Sequence, residues 1–379
     1  KYIKGDRIIW AVIFVLSVFS ILAVYSSTGT LAYQRMGGNT TYYLIRHSVI
    51  LFIGIGIIFI IHLIPYKYYS RLSQFFLYLV IPLLFITLLA GTSFNQAPRW
   101  LTLPGLGFTI QTSDFAKLAL IMYIARALSL KQQVIKSYKE AFVPIMVPVI
   151  LVCVLILPAN LSTALILFGT SIILMFIGRI SIKHLFALAG IGVLVVSLFI
   201  GGALLIDREG RIITWKNRIE DYISGESKEN YQVEQSKIAI ATGGLFGKTP
   251  GKSVQRNFLP NPYSDFIFAI IIEEYGLIFG GLPILFAYLF LLFRAGVIVK
   301  KSTRTFPAFL TIGLVITIVF QAMVNMAVAV NLFPVTGQTL PLVSMGGSSL
   351  LFTSIAFGII LSVSRGIEKD QMDAEPVTT

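Results

Sequence analysis

The side chains able to do chemistry crowd into one stretch, GGLFGKTPGKSVQRNFLPNPYSDFIFAIIIEEYG, beginning at Gly243. It opens as a Gly/Pro-rich loop carrying Lys248, Lys252 and Arg256. It then runs into an apolar segment whose expected first helical turn holds Asp265, with Glu273 and Glu274 further along. Carboxylates in a bilayer-spanning segment are costly and mark a site by default. A flexible cationic loop above a carboxylate at a membrane edge suits chemistry on an anionic lipid head group. Helix capping would explain one acid at position 265, but it does not explain the cations beside it. Glu273 and Glu274 are expected about 12–14 Å deeper in the same helix, at 1.5 Å per residue. Their expected role is structural, one of them pairing with a polar group of a neighbouring helix.

Two further constellations stand out. In TSDFAKLAL, Asp114 and Lys117 are spaced i, i+3 and share a helix face. A local ion pair with Lys117 snorkelling to the interface is the plain explanation. A second helix that starts with an acid at the same boundary as Asp265 favours a shared polar cavity. Gln321 and Asn325, spaced i, i+4, are expected to hydrogen-bond between helices. PVTGQTLPLVSMGGSS reads as a re-entrant connector, and irregular backbone at that depth must line protein or a water-filled cavity.

These residues need a membrane scaffold to position them. The 379 residues are 56% hydrophobic and only 12% charged, against roughly 25% charged in a soluble domain. The chain is therefore read as one all-α polytopic membrane unit over 1–379. The excess of 30 basic over 17 acidic residues would suggest nucleic acid in a soluble protein. Here it suggests anionic head groups and the positive-inside rule instead. The single cysteine, Cys153, cannot form an intrachain disulfide, and His47, His62 and His184 lack metal-ligand spacing. Residues 1–26 resemble a signal peptide without a cleavage pattern and read as a retained first helix.

At about 20 apolar residues per span, ten candidates appear: 8–26, 48–65, 72–91, 113–129, 141–157, 161–178, 185–206, 264–292, 307–330 and 346–364. With the N-terminus inside, the inner segments hold Lys1, Lys4, Arg7, Lys67, Arg71, Arg126, Lys131, Lys136, Lys139, Arg179, Lys183, Arg294, Lys300, Lys301, Arg304, Arg365 and Lys369. The short outer loops hold Arg35, Arg46 and Arg99. This asymmetry predicts ten helices with both termini cytoplasmic. It places a large extracytoplasmic loop, 207–263, between helices 7 and 8. A connector that long is uncommon unless it works as a lid or binding element.

QTSDFAKLAL, YQVEQSKIAIATGGLFGKTPGKS, NFLPNPYSDFIFAIIIEEYG and PVTGQTLPLVSMGGSS occur in this order. Together they resemble the SEDS family of bacterial cell-wall proteins (shape, elongation, division and sporulation) over nearly the whole chain. SVQRNFLP and PVTGQTLPL look more like the division branch than the elongation branch. The resemblance implies a peptidoglycan glycosyltransferase that polymerises lipid II in the cytoplasmic membrane, with its active site facing outward. Asp265 matches the essential aspartate of the family. Asp114 and Lys117 match its acid and lysine at the cavity floor. Gln235 and Ser236, in the YQVEQSKIAI run, and Arg99, Lys252 and Arg256 are further substrate-binding candidates. The chain departs from the family pattern at Tyr263-Ser264, where histidine-threonine is common, and at Asn160, where an aspartate is common.

The expected reaction is attack of the acceptor's sugar 4-hydroxyl on the donor's anomeric carbon, with loss of undecaprenyl pyrophosphate. Asp265 is the candidate general base, or the holder of a divalent cation such as Mg or Mn. Lys252, Arg256, Arg99 or Lys117 could supply charge to the leaving group. A lone carboxylate suits inversion, because retention uses a second one as nucleophile. The implied partners are the undecaprenyl-linked glycan strand, a class B penicillin-binding transpeptidase and other divisome or elongasome membrane proteins. A lipid II flippase or other transporter is the alternative; it would place polar groups near the midplane and broken helices in both halves. A scaffold that only recruits division partners would need no buried acid.

Overall fold

The computed structural model describes residues 4–36, 39–94, 97–102, 109–206 and 228–372. The chain is a mostly helical integral membrane protein. Helices overlie all ten candidate segments: α1 (Arg7–Ser27), α3 (Thr40–Leu63), α4 (Lys67–Ala90), α5 (Thr112–Leu130), α6 (Val143–Ile156), α7 (Leu161–Ile177), α8 (Ile182–Ile206), the pair α10 (Ile267–Gly276) and α11 (Leu282–Lys301), α12 (Thr305–Ala329) and α13 (Gly347–Met372). Short helices α2 (Gly29–Met36) and α9 (Lys228–Gly243) lie between them. Among the described residues, seven helical stretches are long and apolar enough to cross a membrane. Leu161–Ile177 and Ile182–Leu198 are apolar but shorter.

The α5 helix carries Asp114, Lys117 and Arg126, too many charges for a lipid-facing span. It survives by burial on nearly every side, packed against α4, α6, α7, α12 and α13. This central placement lets α5 hold the Asp114–Lys117 pair away from lipid.

Hydrogen bonds define the two ends of the bundle. At one end Asp6 caps α1 through the amides of Ile8 and Ile9. There it also accepts from Arg294 Nε at 2.8 Å, while Arg365 donates to the carbonyls of His62 and Leu63. At the other end Ser236 Oγ donates to the Ala329 carbonyl, the Gln111 amide donates to Ser348, and Ser26 meets Glu274.

Two expectations need correction. The fold is not wholly α: β1 (Thr92–Phe94), β2 (Ala97–Thr102) and β3 (Thr109–Gln111) form an antiparallel sheet in the order β1-β2-β3. Its last strand runs directly into α5, so the sheet fixes the start of the helix that bears Asp114. The stretch 264–292 is also not one helix. It breaks at Gly276, whose φ of 74° is left-handed and ends the α10 hydrogen-bond ladder. The helix resumes at Leu277 with one wide turn to Gly281.

The loop after α9 repairs that break. Lys248 N and Thr249 N donate to the carbonyls of Glu273 and Glu274. Leu277 N and Ile278 N donate to the carbonyls of Gly244 and Leu245. Four main-chain groups that a broken helix would leave bare are thereby satisfied, as burial in apolar surroundings requires. Of the expected external loop, 207–263, residues 207–227 lie outside the described residues.

Candidate active site

Asp265 sits in a turn before α10, which begins at Ile267, so it is not a first-turn helix residue. Neither is it a cap: the α10 N-cap position is Phe266, with no side-chain cap bond. Three hydrogen bonds clamp the turn from the 334–346 connector and α12. Met345 N donates to the Tyr263 carbonyl at 2.9 Å, and Ser344 Oγ to the Ser264 carbonyl at 2.7 Å. Asn325 Nδ2 donates to the Asp265 carbonyl at 2.9 Å. Asp265 is half-buried, and its Oδ1 accepts from Ser264 Oγ at 2.9 Å. It lies against Gly337, a residue with left-handed φ of 65° where an added Cβ would come within 3.7 Å of Asp265 Oδ2.

The connector is itself anchored. Asn325 Nδ2 also donates to the Gln338 carbonyl at 2.7 Å, and Gln338 Nε2 donates to Thr163 Oγ1 at 3.0 Å. Asn160, where an aspartate is common in the family pattern, caps α7 by accepting from the Thr163 amide. Ser20 Oγ donates to the Val343 carbonyl and hydrogen-bonds His47 Nε2 at 2.7 Å. Because the serine proton goes to Val343, His47 must donate from Nε2 in this arrangement.

Asp114 and Lys117 form the expected pair at 2.9 Å, but Lys117 does not snorkel. Its side chain is 11% exposed, and Nζ also donates to Gln321 Oε1 at 2.8 Å. Gln321 Nε2 in turn donates to the Thr339 carbonyl. Gln321 and Asn325 are one helical turn, about 6 Å, apart, so α12 links the α5 ion pair to the Asp265 turn. Asp114, Lys117, Gln321, Thr317, Ser349 and Thr353 help line a cavity of ≈ 40 Å³, which has room for water. Asp114 Oδ2 is buried there without a hydrogen-bond partner in the protein.

Glu273 and Glu274 are fully buried, as latch points for the basic loop. Glu273 pairs with Lys248 Nζ at 2.8 Å and accepts from the amides of Val254 and Gln255 and the hydroxyl of Ser253. Glu274 accepts from the Ser253 amide and from Ser26. Their expected depth is reversed. Glu274 meets Ser26, next to the end of α1, whereas the connector that clamps Tyr263 and Ser264 takes its bond from Ser20. Those two serines are about 9 Å apart along the helix. The short α10 therefore rises toward the bundle end, and the chain returns through α11.

The loop is thus tied down, and its cations are not equivalent. Lys248 is committed to Glu273. Arg256 donates from Nη1 to the Ser26 carbonyl and hydroxyl. Lys252 is exposed. Ser236 is buried and capped onto Ala329, so it is packed away from any substrate, while Gln235 beside it is half-buried. Arg99 lies on β2, but its side chain falls outside the described residues. Sequence reading missed Ser20, His47, Ser26, Thr163 and Gln338, isolated polar residues whose partners lie far along the chain.

Residues 6–369 match the FTSW_RODA_SPOVE family, described as "Cell cycle protein". The chain belongs to the FtsW/RodA/SpoVE family. Among its relatives, Stage V sporulation protein E of Bacillus subtilis (strain 168) is 34% identical, covering 96% of this chain and 98% of that protein. A Trichlorobacter lovleyi protein named "Probable peptidoglycan glycosyltransferase FtsW" is 32% identical over 96% of this chain and 94% of its own. The FtsW/RodA/SpoVE fold is shared with solved structures. The Thermus thermophilus rod shape determining protein RodA aligns with TM-score 0.65 and 25% identity, over 95% of this chain and 97% of that one. A chain described under "Structural coordination of polymerization and crosslinking by a peptidoglycan synthase complex" aligns with TM-score 0.71 and 23% identity, over 95% and 98%.

Proposed function

We propose that this member of the family is a peptidoglycan glycosyltransferase that polymerises lipid II at the outer face of the cytoplasmic membrane. Family membership and relatives named for that activity support the reaction class. The observation that carries the residue assignment is the half-buried Asp265, held on a turn clamped at three successive carbonyls. Clamping the main chain fixes where the carboxylate that would take the proton points.

In this reading the acceptor 4-hydroxyl attacks the anomeric carbon of the donor and passes its proton to Asp265 as the bond to pyrophosphate breaks. Inversion follows from displacement by a single carboxylate-activated hydroxyl. Lys252, exposed on the basic loop, is the cation assigned to leaving-group charge, with Arg256 and Lys117 as further candidates. Among the described residues no group of three acidic, histidine or cysteine side chains could cage a metal. Asp265 is the residue that would hold a magnesium-like ion, which keeps few protein ligands. When bound, it would add positive charge at the leaving group.

Ten membrane crossings with both termini cytoplasmic complete the proposal. The cations gathered at the Asp6–Arg294 end of the bundle support that orientation. A class B penicillin-binding transpeptidase is the proposed partner. The flippase reading is less well supported. The break at Gly276 and the irregular 334–346 connector both lie in the C-terminal half, not one in each half.

The test is polymerisation of purified lipid II by the chain with its transpeptidase. Asp265→Ala is expected to abolish glycan formation while the protein stays inserted and monodisperse. Glycan made at the parent rate would end the assignment.

A further inference from the structure

The opposite end of the bundle from Asp265 carries a second polar feature. A groove of ≈ 610 Å³ lies between the α3–α4 connection and the last turns of α13. Lys67, Arg71, Arg365 and Lys369 line it, with Asp370 as the acid among its lining residues. Asp370 accepts from Tyr66 Oη at 3.0 Å. Arg365 is oriented by its two bonds to the α3 terminal carbonyls. Lys67, Arg71 and Lys369 are exposed, and no acid among the described residues pairs with them. A second groove of ≈ 750 Å³ shares Arg365 and Lys369 and adds Lys4, Arg7 and Arg294.

Orientation alone calls for cations at this end, but not for their convergence on one concave site. Beneath that site His62 is buried; its Nδ1 donates to the Phe59 carbonyl, and its Nε2 finds no hydrogen-bond partner in the protein. The groove also has an apolar margin on its lipid-facing side. Ile60 and Ile64 on one side, and Tyr68 and Phe75 on the other, are exposed large side chains. Ile64 and Tyr68 border the groove itself.

We propose that this groove binds the phosphate of an anionic phospholipid, with the acyl chains lying along Ile60, Ile64 and Phe75. Four cations match a phosphodiester and its neighbouring charge. Basic pockets between membrane helices hold such head groups through the local potential. Tyr68 stands where an aromatic ring bridges head group and acyl region. Free phosphate would use the cations and leave the apolar margin unused. An acidic peptide would leave it equally unused, so the amphipathic surroundings select a lipid.

The test uses the full chain in nanodiscs of equimolar phosphatidylcholine and phosphatidylglycerol. Retained lipid is counted by native mass spectrometry after transfer to detergent. The variant Lys67→Gln/Arg71→Gln/Lys369→Gln removes three exposed groove charges. Lys136→Gln/Lys139→Gln/Lys183→Gln removes three exposed charges elsewhere at the same end. The groove variant is expected to retain about tenfold less phosphatidylglycerol than parent and control, with an unchanged thermal midpoint. Equal loss in both variants would reduce the site to diffuse Coulomb attraction and overturn the proposal. Displacement of the lipid by inorganic phosphate, or by a poly-glutamate peptide, at matched concentration would overturn it too.

Discussion

Asn325 Nδ2 reaches the main-chain carbonyl of Asp265 at 2.9 Å and that of Gln338 at 2.7 Å. One amide group thus ties the proposed catalytic turn to the connector beneath it. The bond to residue 265 is made to its main chain, so Asn325 positions Asp265 without occupying its carboxylate.

Replacing Asn325 by Leu would therefore leave two carbonyls without their donor. Each buried orphan costs about 1–3 kcal/mol, and the turn would drift. Polymerisation is expected to fall by about tenfold or more per enzyme, a 1 Å misplacement being enough for a larger loss. Steady-state assays on lipid II should show the loss in kcat more than in KM. An unchanged kcat would remove Asn325 from the positioning role.

The Lys248–Glu273 pair is a latch and offers a stability test. Breaking a fully buried pair costs about 3–5 kcal/mol. Lys248 keeps 30% of its side chain exposed, so Lys248→Met should cost less, about 1–3 kcal/mol. The double variant Lys248→Met/Glu273→Gln should recover part of the loss. Thermal unfolding in detergent checks both, and a double variant worse than the single would contradict the latch.

Gly276 and Gly251 have nearly equal left-handed φ, 74° and 79°, but different surroundings. A Cβ at Gly276 would fall 2.3 Å from the Leu245 carbonyl oxygen, whereas one at Gly251 meets nothing within 4 Å. Gly251→Ala should cost only the backbone strain, about 1–2 kcal/mol. Gly276→Ala should prevent the loop from closing over the helix break and yield little monodisperse protein. Size-exclusion profiles of the two variants side by side make the comparison.

Ser20 and His47 hold Val343, the connector residue next to the Ser264 clamp. Ser20→Ala is expected to cost about 0.5–1.5 kcal/mol locally. Amide hydrogen exchange should speed up in 334–346 while α1 and α3 keep their protection. Uniform exchange across the molecule would argue against a local tether.

Much of the architecture was legible because its causes are local. A helix needs its own run of apolar residues to cross a bilayer, so each apolar segment announced itself. Asp114 and Lys117 were readable as a pair because i, i+3 spacing on a helix enforces contact. Gln321 and Asn325 were readable as bridging amides because a lone amide in an apolar helix must find a partner. The strands between 92 and 111 gave no comparable signal. They are short, and their pairing is decided by contacts across the sheet.

Sequence by itself determined which residues are costly to bury: Asp265, Asp114, Lys117, Glu273 and Glu274. Burial cost is a property of the side chain, and hydropathy locates the membrane around it. Only the tertiary structure decided what each one does there. Lys248 became a latch because Glu273 lies 2.8 Å away across 25 residues of chain. Glu274 came to the bundle end, and Asp265 below it, because the loop after α9 supplies the hydrogen bonds that let the helix break at Gly276. Partner identity over such separations depends on how helices pack. Helix packing is settled by the whole set of contacts, which no local window of residues contains.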